Sequence, residues 1–185
     1  NTEGATLKDI SNSRLRQFGG TSAIWGGWCK PLTDLDFENF GLKSNQIKEY
    51  QKKACDILSI KNSFRESSIN KEFNQIEFQY SDVRFHEKYF SHIKASKKIL
   101  LLLNTRLSHF EGQNKKVEKA VCISQGKPFN IKSREFILCC GGIENSRILL
   151  WSKFKNTNLF KENSNIGKYW MTHYWILGGI GFVDI

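Results

Sequence analysis

Residues 135–154 read EFILCCGGIENSRILLWSKF, and this stretch decides the fold class. The run EFILCC at 135–140 is almost continuously apolar. Such a run suits a strand buried on both faces, as in a parallel sheet. Gly141-Gly142 ends it. Residues 143–154 then carry Ile143, Arg147, Leu150 and Trp151 at helical spacing. A strand, two glycines and a helix make an α/β junction. It aims the first helical amides at the end of the strand, where a phosphate can sit. Many α/β folds have such a junction without a ligand, so alone it is open between the two readings.

Upstream of the junction the period is that of strands. Residues 99–110, 117–124 and 129–133 are predicted strands. Glu111-Gly112-Gln113-Asn114 and Gln125-Gly126-Lys127-Pro128 are the turns between them. Three strands with short turns make an antiparallel meander.

A second glycine site lies at 18–29, FGGTSAIWGGWC. Its two glycine pairs, Gly19-Gly20 and Gly26-Gly27, allow positive φ or close approach to a ligand. Thr21 and Ser22 add hydroxyls, and Trp25 and Trp28 add flat apolar surface. The stretch fits a ligand anionic at one end and flat at the other, such as a dinucleotide. It equally fits a surface turn beside two core tryptophans.

The remaining segments are structural in character. Thr33 or Asp34 can cap a short helical turn at 37–40 that stops at Gly41. Ser44 is the expected N-cap of a helix to about Ser59, with Ile47, Tyr50, Ala54, Ile57 and Leu58 on one face. Residues 62–74 read as loop, 76–80 as a short strand, and Phe85, Tyr89, Phe90 and Ile93 as a helix. Residues 1–17 read as a loop or extended lead, and 175–183 as a strand.

The composition narrows the classes. At 185 residues with 39% hydrophobic content, the chain can build one domain or slightly more. No run approaches a membrane span. The formal net charge is +10, yet Lys52-Lys53, Lys97-Lys98 and Lys115-Lys116 are scattered pairs. Nucleic acid is therefore not the expected partner. Cys29, Cys55, Cys122, Cys139 and Cys140 show no metal spacing, so no metal is expected. An odd count without a framework points to a reducing, cytoplasmic setting and to small buried apolar roles. Cys139 and Cys140, adjacent on one strand, would face opposite sides. His86, His92 and His109 lie in no motif, and His173 is read as a packing residue.

The two glycine sites, with a meander between them, resemble the glucose–methanol–choline family of flavin oxidoreductases. Four pieces carry the likeness: SRLRQFGGTS at 13–22 followed by Trp25-Gly26-Gly27, Asp36-Phe37-Glu38, FILCCGGIENSRILLWS at 136–152, and IGKYWMTH at 166–173. The resemblance implies an α/β fold: part of a Rossmann-like FAD-binding domain with a β-meander, then the start of an antiparallel-sheet substrate domain. Residues 1–34 and 97–155 would belong to the first, 35–96 to a helical and loop insertion on the substrate side, and 156–185 to the second. FAD would be met by Gly19, Gly20, Thr21, Ser22, Trp25, Gly26 and Gly27, by the backbone at Leu107, and by Cys140, Gly141 and Asn145. Ile24 stands where some members tether flavin through histidine, so FAD would be non-covalent.

The resemblance further implies oxidation of the CH–OH group of a small-molecule sugar or other alcohol, with hydride passing to flavin N5. The family's opening GxGxxG fingerprint and its C-terminal catalytic histidine have no counterpart here. The expectation is therefore a middle piece of a longer protein, with no catalytic residue of its own, an exposed apolar face and no activity alone. Two other readings stay open: a different two-signature flavoprotein of the cholesterol or ketosteroid type, and a basic module binding an anionic polymer.

Overall fold

The computed structural model describes residues 15–113 and 115–171. Helices combine with small antiparallel sheets in two compact units, Asn1–Leu101 and Leu102–Ile185.

In the first unit, a short 3-10 turn at Gly20–Ala23 leads to strand β1, Trp28–Cys29. Helix α1, Asp34–Phe40, starts at a capping box. The Thr33 side chain accepts from the Asp36 amide, and the Asp36 carboxylate accepts from the Thr33 amide. Two end donors of the helix backbone are thereby satisfied. Gly41 ends the helix in the left-handed region, φ 63°, which favours glycine. Helix α2 is Ser44–Leu58, with Lys43 rather than Ser44 at the cap position. Its free C-terminal carbonyls are collected from outside. Lys88 Nζ donates to Ile57 O at 2.5 Å, and Ser81 Oγ donates to Leu58 O at 2.6 Å.

Residues 62–74 are not simply loop. Strands β2, Glu66–Ser68, and β3, Asn74–Ile76, form an exposed hairpin. The expectation missed it because all six of its residues are exposed and carry no apolar alternation. Strand β4, Gln79–Tyr80, pairs with β1 instead, setting Trp28 opposite Tyr80. Helix α3, Phe85–Ala95, follows. Phe37, Cys55, Ser81 and Val83 are the buried side chains among the described residues of this unit.

The second unit is the expected meander. Strands β5, Thr105–Gln113, β6, Lys116–Ser124, and β7, Lys127–Lys132, pair in sequence order. Gln125 and Gly126 both take positive φ, 48° and 76°, as a tight primed hairpin turn demands. Helix α4, Gly142–Lys155, packs on β5. Phe110, Ala120, Cys122, Ile148 and Leu159 form the core.

Strand β5 lies at the edge of this sheet, and α4 seals it. Phe110 and Gly112, two apart on β5, use Ser152 and Asn156, four apart on α4. Ser152 Oγ accepts from the Phe110 amide at 2.8 Å, and Asn156 Nδ2 donates to Gly112 O at 2.7 Å.

Two expected strands differ. Residues 99–104 do not join β5, and Leu100 is 82% exposed. Residues 135–140 form no ladder among the described residues, so the expected doubly buried strand is corrected. Phe136 and Leu138 pack on the core while Ile137 is 89% exposed. One face is covered and the other is bare, because hydrophobicity favours burial but a strand also requires a pairing partner. Cys139 and Cys140 are exposed, not buried as expected; Cys55 and Cys122 are buried, Cys29 is half-buried, and all five are free. The strand expected at 175–183, and His173, lie outside the described residues.

Candidate functional site

The glycine loop at 18–29 belongs to the first unit, and its shape is set by a segment 54 to 72 residues further on. Gly19 has φ 88°, and a Cβ there would stand 2.6 Å from His86 Cβ. Gly27 has φ 76°, and its Cβ would stand 2.2 Å from Ser81 O. Both positions therefore require glycine for close approach as well as conformation. Ser81 also donates its amide to Gly27 O at 2.8 Å. Trp25 Nε1 donates to Val83 O at 2.9 Å, and its ring stacks on Phe85 at 6.4 Å. Phe18 meets His86 and Phe90 edge-on. The loop thus lies along 81–90, so Trp25 is a fixed wall and Gly27 a packing glycine.

Other parts of the loop remain accessible. Thr21 and Gly26 are exposed, and Gly20 has a positive φ of 54° with no close neighbour demanding glycine. Ser22 Oγ donates to Gly19 O. Trp28 is 67% exposed and meets Tyr80 edge-on at 5.5 Å. His86 Nδ1 is buried against this loop without a hydrogen-bond partner. Sequence reading tied none of Ser81, Val83, Phe85 and His86 to the glycine loop, because these partners lie far apart in the chain.

In the second unit, Leu107, Cys140, Gly141 and Asn145 divide into two groups. Leu107 lies within β5, as expected; it is paired with Cys122 and its side chain packs on the core. The other three form one turn. Asn145 Oδ1 accepts from the Cys140 amide at 2.8 Å, and its Nδ2 donates to Leu138 O at 3.1 Å. Gly141 takes φ 84° and ψ 158°, a region essentially reserved for glycine. Among the described residues, nothing lies within 4 Å of where its Cβ would be. No side chain caps α4 at Gly141. The first helical amides have no acceptor within the helix, and the positive end of the helix dipole lies there. Glu144 would oppose an anion there, but Arg147 Nε binds its carboxylate at 2.8 Å. Burial, with the nearby Glu144 and Cys139, pushes the Cys140 thiol above its usual range. Cys140 is thus a poor thiolate at neutral pH.

A separate polar cleft of about 570 Å³ lies in the same unit, beside His109, Glu111, Lys119 and Asn156. Glu111 bridges Lys119 Nζ at 2.7 Å and His109 Nε2 at 3.2 Å. The Lys119 hydrogen bond, with His109, holds the Glu111 carboxyl below its usual range against the opposing effect of burial. Among the described residues no cluster of His, Cys, Asp or Glu could hold a metal ion. None of the described helices is long and apolar enough to cross a membrane. Compared with family models, curated proteins and solved structures, the chain matches none of them.

Proposed function

We propose that this chain is a cofactor-binding part of an FAD-dependent oxidoreductase acting on the CH–OH group of a sugar or other alcohol. The observation that supports the reading is the turn at Gly141. Its glycine meets no neighbour among the described residues, holds a conformation other residues resist, and stands directly before a helix with no side-chain cap. Its backbone conformation calls for glycine, and a glycine before a helix start leaves room for close approach of an anionic group. In this reading the start of α4, in the second unit, would hold a phosphate group of the dinucleotide. Gly20, Thr21 and Gly26 offer an accessible backbone and hydroxyl surface in the first unit, next to the exposed Trp28. FAD bound non-covalently would supply the hydride acceptor at N5. The chain's own residues would bind and orient it, and this reading places no catalytic base among the described residues. The finer fold assignment, a Rossmann-like FAD domain with its substrate domain, belongs to the same proposal.

The test is the visible spectrum of the full-length protein, purified and then titrated with FAD. A flavin spectrum that bleaches on adding a sugar or alcohol supports the reading. A colourless protein that leaves added FAD free in solution refutes it. Salt-sensitive retention of DNA by such a colourless protein would favour a basic binding module.

A further inference from the structure

We infer that Asn145 is a positioning residue. Its carboxamide clamps the turn at 138–141, so that Gly141 and the start of α4 keep the open shape a ligand phosphate needs. This rests on the reading of the junction given above, but its physical basis does not need the ligand. Both ends of the carboxamide are engaged inside the chain, Oδ1 with the Cys140 amide at 2.8 Å and Nδ2 with Leu138 O at 3.1 Å. Each atom keeps one further hydrogen-bonding capacity, but these two bonds fix the orientation of the carboxamide. They replace the ladder hydrogen bonds that residues 135–140 lack among the described residues. They also tie the extended segment to the first turn of the helix, across a glycine that supplies no side chain to do so. Asn is required by the pairing itself, because one end must accept while the other donates. Asp at neutral pH can still accept from Cys140 but turns an oxygen toward the Leu138 carbonyl. A protonated Asp restores the donor.

Amide hydrogen exchange at Cys140 in the ligand-free chain tests the clamp, using the wild type, N145A and N145D. N145A is expected to lower the Cys140 protection factor about tenfold, the loss of an ordinary hydrogen bond or two. N145D is expected to be intermediate at neutral pH and to regain protection as the pH falls into the aspartate range, about 4. A purely structural substitution would show no such pH-dependent rescue. Wild-type protection in N145A overturns the inference, as does a pH-independent N145D. Should N145A not fold, N145D decides alone. FAD uptake by the wild type is measured separately by flavin fluorescence. Its absence would remove the flavin reading while leaving the Cys140 result to judge the clamp.

Discussion

Replacing Ser152 by alanine isolates the joint between helix and sheet. Ser152 is fully buried, with 0% of its surface exposed. Its hydroxyl donates to Ile148 O at 2.6 Å and accepts from the Phe110 amide at 2.8 Å. Ile148 O keeps its own helical bond when the hydroxyl is removed, so that loss is small. The Phe110 amide has no such reserve. It points from an edge strand into a core walled by Phe110, Ile148 and Leu159, where water does not reach. Leaving a buried donor unpaired costs about 1–3 kcal/mol. The missing oxygen leaves only a small void, so the expected destabilisation is about 2 kcal/mol. Urea unfolding followed by far-UV circular dichroism measures it, with the m-value expected to stay unchanged. The S152A, N156A double variant should depart from additivity, because both side chains seal the same edge. An S152A loss below about 0.5 kcal/mol, within the range of an ordinary surface change, would refute the reasoning.

Other substitutions separate packing glycines from open ones. G27A places a Cβ 2.2 Å from Ser81 O at φ 76°, and G112A places one 1.9 Å from Lys116 O. Both should abolish cooperative thermal unfolding of their unit. G141A meets no neighbour among the described residues and should cost only the strain of its backbone, about 1–3 kcal/mol. A G141A as damaging as G27A would contradict the open turn. For Glu111 the folded carboxyl titrates below its unfolded value, so its ion network stabilises above the ordinary glutamate range and is lost as the pH falls through the depressed value. E111Q should therefore flatten the acid side of the stability curve, and an unchanged profile in urea titrations would count against it. Iodoacetamide should modify the exposed Cys139 before the buried Cys55 and Cys122, as peptide mass mapping would show.

Much of the local structure was determined by the sequence alone. Thr33 or Asp34 could cap a short helical turn that stops at Gly41, and the structure gives the cap to Thr33 and the left-handed stop to Gly41. The Gln125-Gly126 turn sets two β-runs antiparallel, and the spacing after Gly142 makes a helix. These signals act over a few residues, within reach of one turn's hydrogen bonds. The tertiary structure decided the rest. Whether EFILCC pairs as a strand depended on a neighbour its hydrophobicity does not specify. The exposed β2–β3 hairpin carried no apolar pattern to read. Of the second glycine loop, sequence established freedom of backbone but not its use. Gly27 turned out to be needed by Ser81, and Trp25 is held by Val83, 58 positions away. Gly141, equally permissive in sequence, meets none of the described residues. A glycine records only that no side chain is tolerated or required, and only the surrounding fold shows whether protein or solvent occupies the place of its missing Cβ.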